Sequence, residues 1–156
     1  MGNFWKGVSD EKLQEAERRI FSYSGLNYDE FKITNVHIDD KGNYVRTIDI
    51  RPTTGKTDET PVVVMLHGYG ASGGIFYKIV KQIVDAGIHL ILVDVLGMGA
   101  SSRPEFNEDL TADQADDFFV DFIEKWRIAY GDLKDFFLAG HSFGGYMCGH
   151  YAMRYP

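Results

Sequence analysis

Runs of apolar residues, and the spacing of those residues within longer stretches, mark out the elements of this chain. Ser9 to Tyr23 reads as a helix, with Leu13, Ala16 and Ile20 on one face, Ser9 placed to cap it and Gly25 to stop it. Two extended segments follow, Ile33–Ile38 and Tyr44–Ile50, and the turn-rich Asp40-Lys41-Gly42-Asn43 between them predicts a hairpin. Pro52 to Pro61 is a polar loop. Val62-Val63-Val64-Met65-Leu66 is then an unbroken apolar run, too short for a helix and suited to a strand buried on both faces. After a glycine-rich stretch from Gly68 to Gly74, the residues Ile75, Phe76, Ile79, Val80, Ile83 and Val84 recur at helical spacing until Gly87. Leu90 to Val93 is a second buried strand, ending at Asp94. Thr111 opens a third helix with Gln114 as its capping-box partner, and its apolar stripe runs from Ala115 through Phe118, Phe119, Phe122, Ile123 and Trp126 to Tyr130. Phe136 to Ala139 is a third buried strand, and Phe143 to Tyr155 the last helix. The order helix, hairpin, β-α-β-α-β-α predicts an α/β fold: a hairpin followed by a mostly parallel sheet flanked by helices.

Charge narrows the partners. The net charge is −7, from 16 Lys and Arg against 23 Asp and Glu, which argues against a partner held by phosphate contacts such as a nucleic acid. Peripheral membrane contact through aromatics stays open. No apolar run approaches the roughly 20 residues of a membrane-spanning helix. The polar stretch from Asn3 to Glu17 does not read as a secretory signal, and Lys6 stands where a myristoylation pattern wants Ser or Thr. Cys148 is the single cysteine, so no internal disulfide forms and an intracellular, reducing compartment fits.

The chemistry concentrates in Gly140-His141-Ser142-Phe143-Gly144, a G-x-S-x-G motif between a buried strand and a helix. Its reason is steric. A serine on a very sharp strand-to-helix turn leaves room for little beside it, so the positions two before and two after are glycine. The turn lifts the hydroxyl of Ser142 clear as a nucleophile. It also aims the Phe143 N–H and the helix N-terminus at a developing oxyanion. Upstream, His67-Gly68-Tyr69-Gly70 follows the first buried strand, where a second oxyanion donor is expected, with the backbone of Tyr69 as the candidate. His67 reads as a structural hydrogen-bonding residue of that loop.

Two other patterns compete. Gly68-x-Gly70-x-x-Gly73 with Asp94 at the end of the next strand matches a dinucleotide fingerprint. That remote alternative leaves the elbow one β-α unit later without a purpose. Gly55-Lys56-Thr57 hints at a phosphate loop, but Ile50 stands where its first glycine should be. His37, His89 and His150 show no metal-ligand spacing, and neither a metal nor another cofactor is expected.

The elbow, the His67-Gly68-x-Gly70 loop and Asp94-x-x-Gly97-x-Gly99-x-Ser101-Ser102-Arg103-Pro104 together resemble the α/β-hydrolase superfamily. Glu124-Lys125-Trp126-Arg127, Leu13-Gln14-Glu15-Ala16-Glu17 and the stretch from Gly140 to Pro156 narrow the resemblance to a lipid-handling subfamily. It includes N-acyl phospholipid lipases, mitochondrial cardiolipin deacylases and a lipid-droplet lipase co-activator. The resemblance implies Ser142 as nucleophile, Tyr69 and Phe143 N–H groups as the oxyanion hole, and Gly140, His141, Gly144, His67, Gly68, Gly70 and Asp94 as support. It implies acyl esters or amides of phospholipids or lysophospholipids as substrates, at mitochondrial or at cytosolic membrane and droplet surfaces.

Residues 1–156 are then expected to be a partial α/β-hydrolase domain, with residues 1–25 an N-terminal helical segment and residues 33–156 the hairpin and core. The fold takes its triad in the order serine, acid, histidine. Only fourteen residues follow Ser142, and His150 among them lies in the same helix, unable to swing back. The expectation is a serine hydrolase site whose acid and base are absent here, with the Phe136–Ala139 strand edge awaiting a protein partner or the C-terminal half of the fold. The alternative is a catalytically silent hydrolase relic serving as a structural subunit.

Overall fold

A computed structural model of the chain describes residues 9–52 and 60–156. The Gly55-Lys56-Thr57 stretch and Lys6 lie outside them.

Helix α1 (Asp10–Ser22) starts where the sequence predicts, with the Ser9 hydroxyl accepting the Lys12 N–H at 3.3 Å and Asp10 and Glu11 in the first turn, where the helix dipole favours acids. Strands β1 (Phe31–His37) and β2 (Tyr44–Ile50) form the hairpin, with Val36 opposite Val45. Asp39 ties its turn by accepting the Lys41 and Asn43 N–H groups. Strand β3 (Val62–Leu66) leads through the glycine-rich loop to α2 (Tyr77–Asp85), then β4 (His89–Val93), α3 (Ala112–Ala129), β5 (Phe136–Gly140) and α4 (Phe143–Arg154). The capping box on α3 is present in both directions.

One local difference from the sequence reading has a physical reason. Residues Gly73–Phe76 form a tight 3₁₀ turn ahead of α2 rather than its first α-helical turn. The Gly73 N–H is taken by the Asp94 carboxylate at 2.6 Å, so the entry to this helix is held from across the sheet rather than by its own ladder.

The five strands make one mixed sheet in the order β1-β2-β4-β3-β5. β2 joins β4 antiparallel, and β4, β3 and β5 run parallel. Alternation along the strands feeds two cores. Ile48, Ile50, Leu90 and Leu92 face α1 and α2, packing with Phe21, Phe76, Val80 and Val84. Val45, Val64, Leu66, Ile91 and Val93 face α3 and α4, packing with Phe122, Ile123, Trp126, Met147 and Tyr151. Trp126 is fully buried and its indole N–H reaches the Thr47 hydroxyl at 2.9 Å, so burial costs that group no hydrogen bond.

The sheet is finished unevenly. β5 pairs with β3 alone, and among the described residues nothing pairs with its other side. Phe137 stands opposite Val63 and is 68% exposed.

Candidate active site

The parallel strands β3, β4 and β5 end on the same side, and their C-terminal loops meet there. From β5 the chain turns at Ser142 directly into α4. The His141 N–H still bonds the Leu66 carbonyl at 3.0 Å, extending the ladder, and the Gly144 N–H already bonds the His141 carbonyl at 2.9 Å. Ser142 absorbs the whole change of direction with φ 54° and ψ −119°. That is outside the regions a side chain occupies comfortably, and such a backbone is worth about 1–3 kcal/mol of strain. The flanking glycines are required. A Cβ at Gly140 would run into the backbone of Gly144 and Gly145, and one at Gly144 into the carbonyls of Leu66 and His67.

Ser142 is exposed, and its hydroxyl makes no hydrogen bond among the described residues. Gly68 backs directly onto it: a Cβ there would lie 3.1 Å from the Ser142 Cβ. The loop after β3 therefore approaches the elbow as closely as backbone can, which explains the glycine. Neither the Tyr69 N–H nor the Phe143 N–H has a protein acceptor among the described residues, whereas the Gly70 N–H is turned to the Met98 sulfur at 3.3 Å. The Tyr69 side chain is 82% exposed and packs edge-on to Phe143, ring centres 6.5 Å apart.

His67 and Asp94 form the base under that loop, both fully buried. His67 Nε2 accepts the Val95 N–H at 2.9 Å and Nδ1 meets the Gly68 carbonyl at 2.7 Å, which fixes the Nδ1–H tautomer of a neutral ring. With both nitrogens committed, His67 has no lone pair for Ser142. The Asp94 carboxylate takes the Gly73 and Ala100 N–H groups at 2.6 and 2.7 Å, and a Cβ at Gly99 would strike it. Burial pushes its carboxyl above the usual carboxylate range, with those two donors pulling the other way. Buried and so engaged, Asp94 supports the loops after β3 and β4 rather than facing solvent.

No other histidine serves Ser142. His150 sits two turns along α4, about 12 Å up the axis at 1.5 Å per residue, with its ring against Tyr146 at 4.4 Å. His89 pairs with Asp49 at 2.8 Å at the opposite end of the sheet. His37 packs on Tyr44, and His141 is exposed with no bond to the serine. The structure thus brings together Ser142, Gly140, Gly144, Gly68, Tyr69 and Phe143, supported by His67 and Asp94, without a base among the described residues.

One cluster escaped the sequence reading. Arg46 is buried in β2 with its guanidinium bonded to Glu17, Asp10 and Asn35 at 2.7–3.4 Å. Its N–H bonds the Ser101 hydroxyl, which in turn donates to the Asp94 carbonyl at 2.7 Å. Burial drives Glu17 up to about 7, the Arg46 charge opposing it. The available signal was a charged residue at the position of β2 that shares a face with Ile48 and Ile50.

Comparison with known proteins agrees with this geometry. A family model described as alpha/beta hydrolase fold matches residues 61–156. A rice protein, a probable 1-acylglycerol-3-phosphate O-acyltransferase, is 34% identical over an alignment of 161 residues, which spans 97% of this chain and 38% of that one. A human (lyso)-N-acylphosphatidylethanolamine lipase is 37% identical over 114 residues, 73% of this chain and 31% of its own length. The chain therefore spans well under half the length of these curated relatives. Among solved structures, carboxylesterase CesB from Bacillus subtilis superposes with a TM-score of 0.70 at 18% identity, over 94% of this chain and 45% of that one. No helix among the described residues is long and apolar enough to cross a membrane. A family match that runs through every element from β3 to α4, on a fold shared with a solved carboxylesterase, makes this chain a member of the α/β-hydrolase fold family.

Proposed function

We propose that the chain is the nucleophile-bearing part of a serine acyl hydrolase that acts on phospholipid or lysophospholipid acyl groups. The observation that carries the reading is the elbow: a strained Ser142 with an unbonded hydroxyl, in a site where the Tyr69 and Phe143 N–H groups lack acceptors among the described residues. In the reaction the Ser142 Oγ attacks the acyl carbonyl carbon and its proton leaves to a base. The carbonyl oxygen gains the electron pair and is held by the Tyr69 and Phe143 N–H groups. The ester bond then breaks, the alcohol takes a proton, and the acyl group stays on Ser142 until a second hydroxyl, from water, removes it. The names of the rice and human relatives support lipid acyl groups as substrate. A lysophospholipid hydroxyl in place of that water would make the same acyl-serine a transfer intermediate.

The base and its acid partner are assigned to the part of the fold that the relatives carry beyond the matched region, packed against the bare side of β5. The reading keeps the protein inside the cell, at a mitochondrial, droplet or other cytosolic membrane surface. The second reading, a silent relic acting as a bound subunit, is favoured by one observation: no described histidine reaches Ser142. A serine without a base is a poor nucleophile, so the 156 residues alone should hydrolyse esters little or not at all. The deciding experiment treats the native protein with a fluorophosphonate and measures its intact mass. A label lost in Ser142→Ala on a protein heavier than 17.7 kDa is expected. An unlabelled protein at 17.7 kDa would leave the relic.

A further inference from the structure

The geometry points to a row of aromatic rings running from Phe143 to Phe106 as the subsite for the acyl chain, a step that rests on the proposed function of Ser142. Phe143 contributes both the N–H beside the nucleophile and the first ring of the row. Its ring meets Phe119 at 5.0 Å, Phe119 meets Phe118 at 5.1 Å, and Phe118 meets Phe106 at 5.2 Å, each nearly perpendicular to the last. Phe106 also reaches Phe119 at 6.2 Å, so the far end is a three-ring cluster rather than a single stacked pair.

Three of the four rings, Phe118, Phe119 and Phe143, pack on the core that α3 and α4 share, and Phe106 extends the row beyond it. Phe118 and Phe119 lie on the first turns of α3, half-buried, while Phe106 belongs to the β4–α3 loop and is 46% exposed. An exposed phenylalanine held against two others on a loop is an apolar surface presented to something. Continuity with the elbow says what. An acyl carbonyl whose oxygen is held at the Phe143 N–H has its alkyl chain beginning at the Phe143 ring, and the row continues from there for the length of a long chain. Charge argues for a single uncharged chain over a membrane surface. Glu105, Glu108 and Asp109 flank Phe106, and Asp113 and Asp116 lie on the adjoining turn of α3, an acidic rim that anionic lipid headgroups would avoid.

The test is a fluorescence titration with methyl cis-parinarate, a neutral polyene ester that brightens in apolar sites, below its aggregation limit. Binding to the protein is expected, weakened at least about tenfold by Phe106→Ser and retained by Phe106→Trp. Phe137→Ser, which removes an exposed ring on the opposite side of the sheet, is expected to leave it unchanged. No binding, or equal loss from Phe106→Ser and Phe137→Ser, would overturn the subsite. So would a Phe106 dependence seen with phosphatidylcholine vesicles but not with the monomeric ester, which would make Phe106 a membrane anchor. The two readings fail separately. An absent fluorophosphonate label with Phe106-dependent binding removes the catalytic role of Ser142 alone, and a label with binding indifferent to Phe106 removes the subsite alone.

Discussion

The sheet has two edge strands, and they are built for different neighbours. β1 turns Phe31 and Ile33 into the core under α1 and presents the exposed Lys32 on its other face. A charged side chain on an edge discourages another strand from pairing there. β5 reads Phe136-Phe137-Leu138-Ala139 with no charge, and its Phe137 extends the face of Val63 and Met65 past the reach of α2. The strain is distributed in the same way. Among the described residues, the non-glycine residues with positive φ are Asp132, Asp135 and Ser142, all flanking β5. The hairpin edge is finished for water. The β5 edge is apolar, strained and open, and it leads into Ser142.

Two phenylalanines put the largest effect on this contrast. Phe21 in α1 is fully buried beside Phe31, and Phe21→Ala should cost about 3–5 kcal/mol of unfolding free energy in urea denaturation. Phe137→Ser should change stability by no more than about 0.5 kcal/mol, as surface substitutions do, while lowering self-association in sedimentation velocity. Equal destabilisation by both would mean that the β5 face is covered in solution.

The same contrast decides what could be read from the sequence. The elbow was legible because its constraint is steric and local: a Cβ at position 140 or 144 has nowhere to go, so glycine is written there. The strands and helices were legible from periodicity, whereas the bare edge was expected only from the family resemblance. The Arg46 cluster was not. Its partners Glu17, Asp10 and Asn35 come from α1 and β1, and no local pattern links them. The 3₁₀ entry to α2 was hidden for the same reason, since the group that shapes it, Asp94, arrives from the next strand.

That buried cluster gives the hairpin side a pH dependence. An acid whose folded pKa is raised keeps its proton in the fold where the unfolded chain has already lost it. Glu17 goes from an ordinary 4.5 to about 7, so the stability it contributes is full below about 4.5 and is lost as pH rises through about 7. Arg46 opposes the shift; Asp94 and Asp10 add to it. Between pH 5 and pH 8 the loss should be about 2 kcal/mol, read as a falling urea midpoint, and Glu17→Gln should flatten most of that slope. Asp94, raised in the same direction, would account for the remainder. A midpoint that stays flat over this range would mean that Arg46 holds Glu17 ionised throughout.

A smaller effect belongs to Ser142 itself. Ser142 holds a backbone that glycine enters freely, so Ser142→Gly relieves strain while it adds freedom to the unfolded chain. The two oppose, and the net should be a gain of about 1 kcal/mol, visible as a higher melting temperature. Ser142→Ala keeps the Cβ and the strain, and should melt with the parent. Both remove the hydroxyl, so both should lose any fluorophosphonate label, which separates the chemistry of the side chain from the cost of presenting it. A serine held in a strained backbone, beside N–H groups without acceptors among the described residues, fits the proposed reaction. If Ser142→Gly melted no higher than Ser142→Ala, the turn would be relaxed in solution, and the elbow would lose its standing as a site held under strain for catalysis.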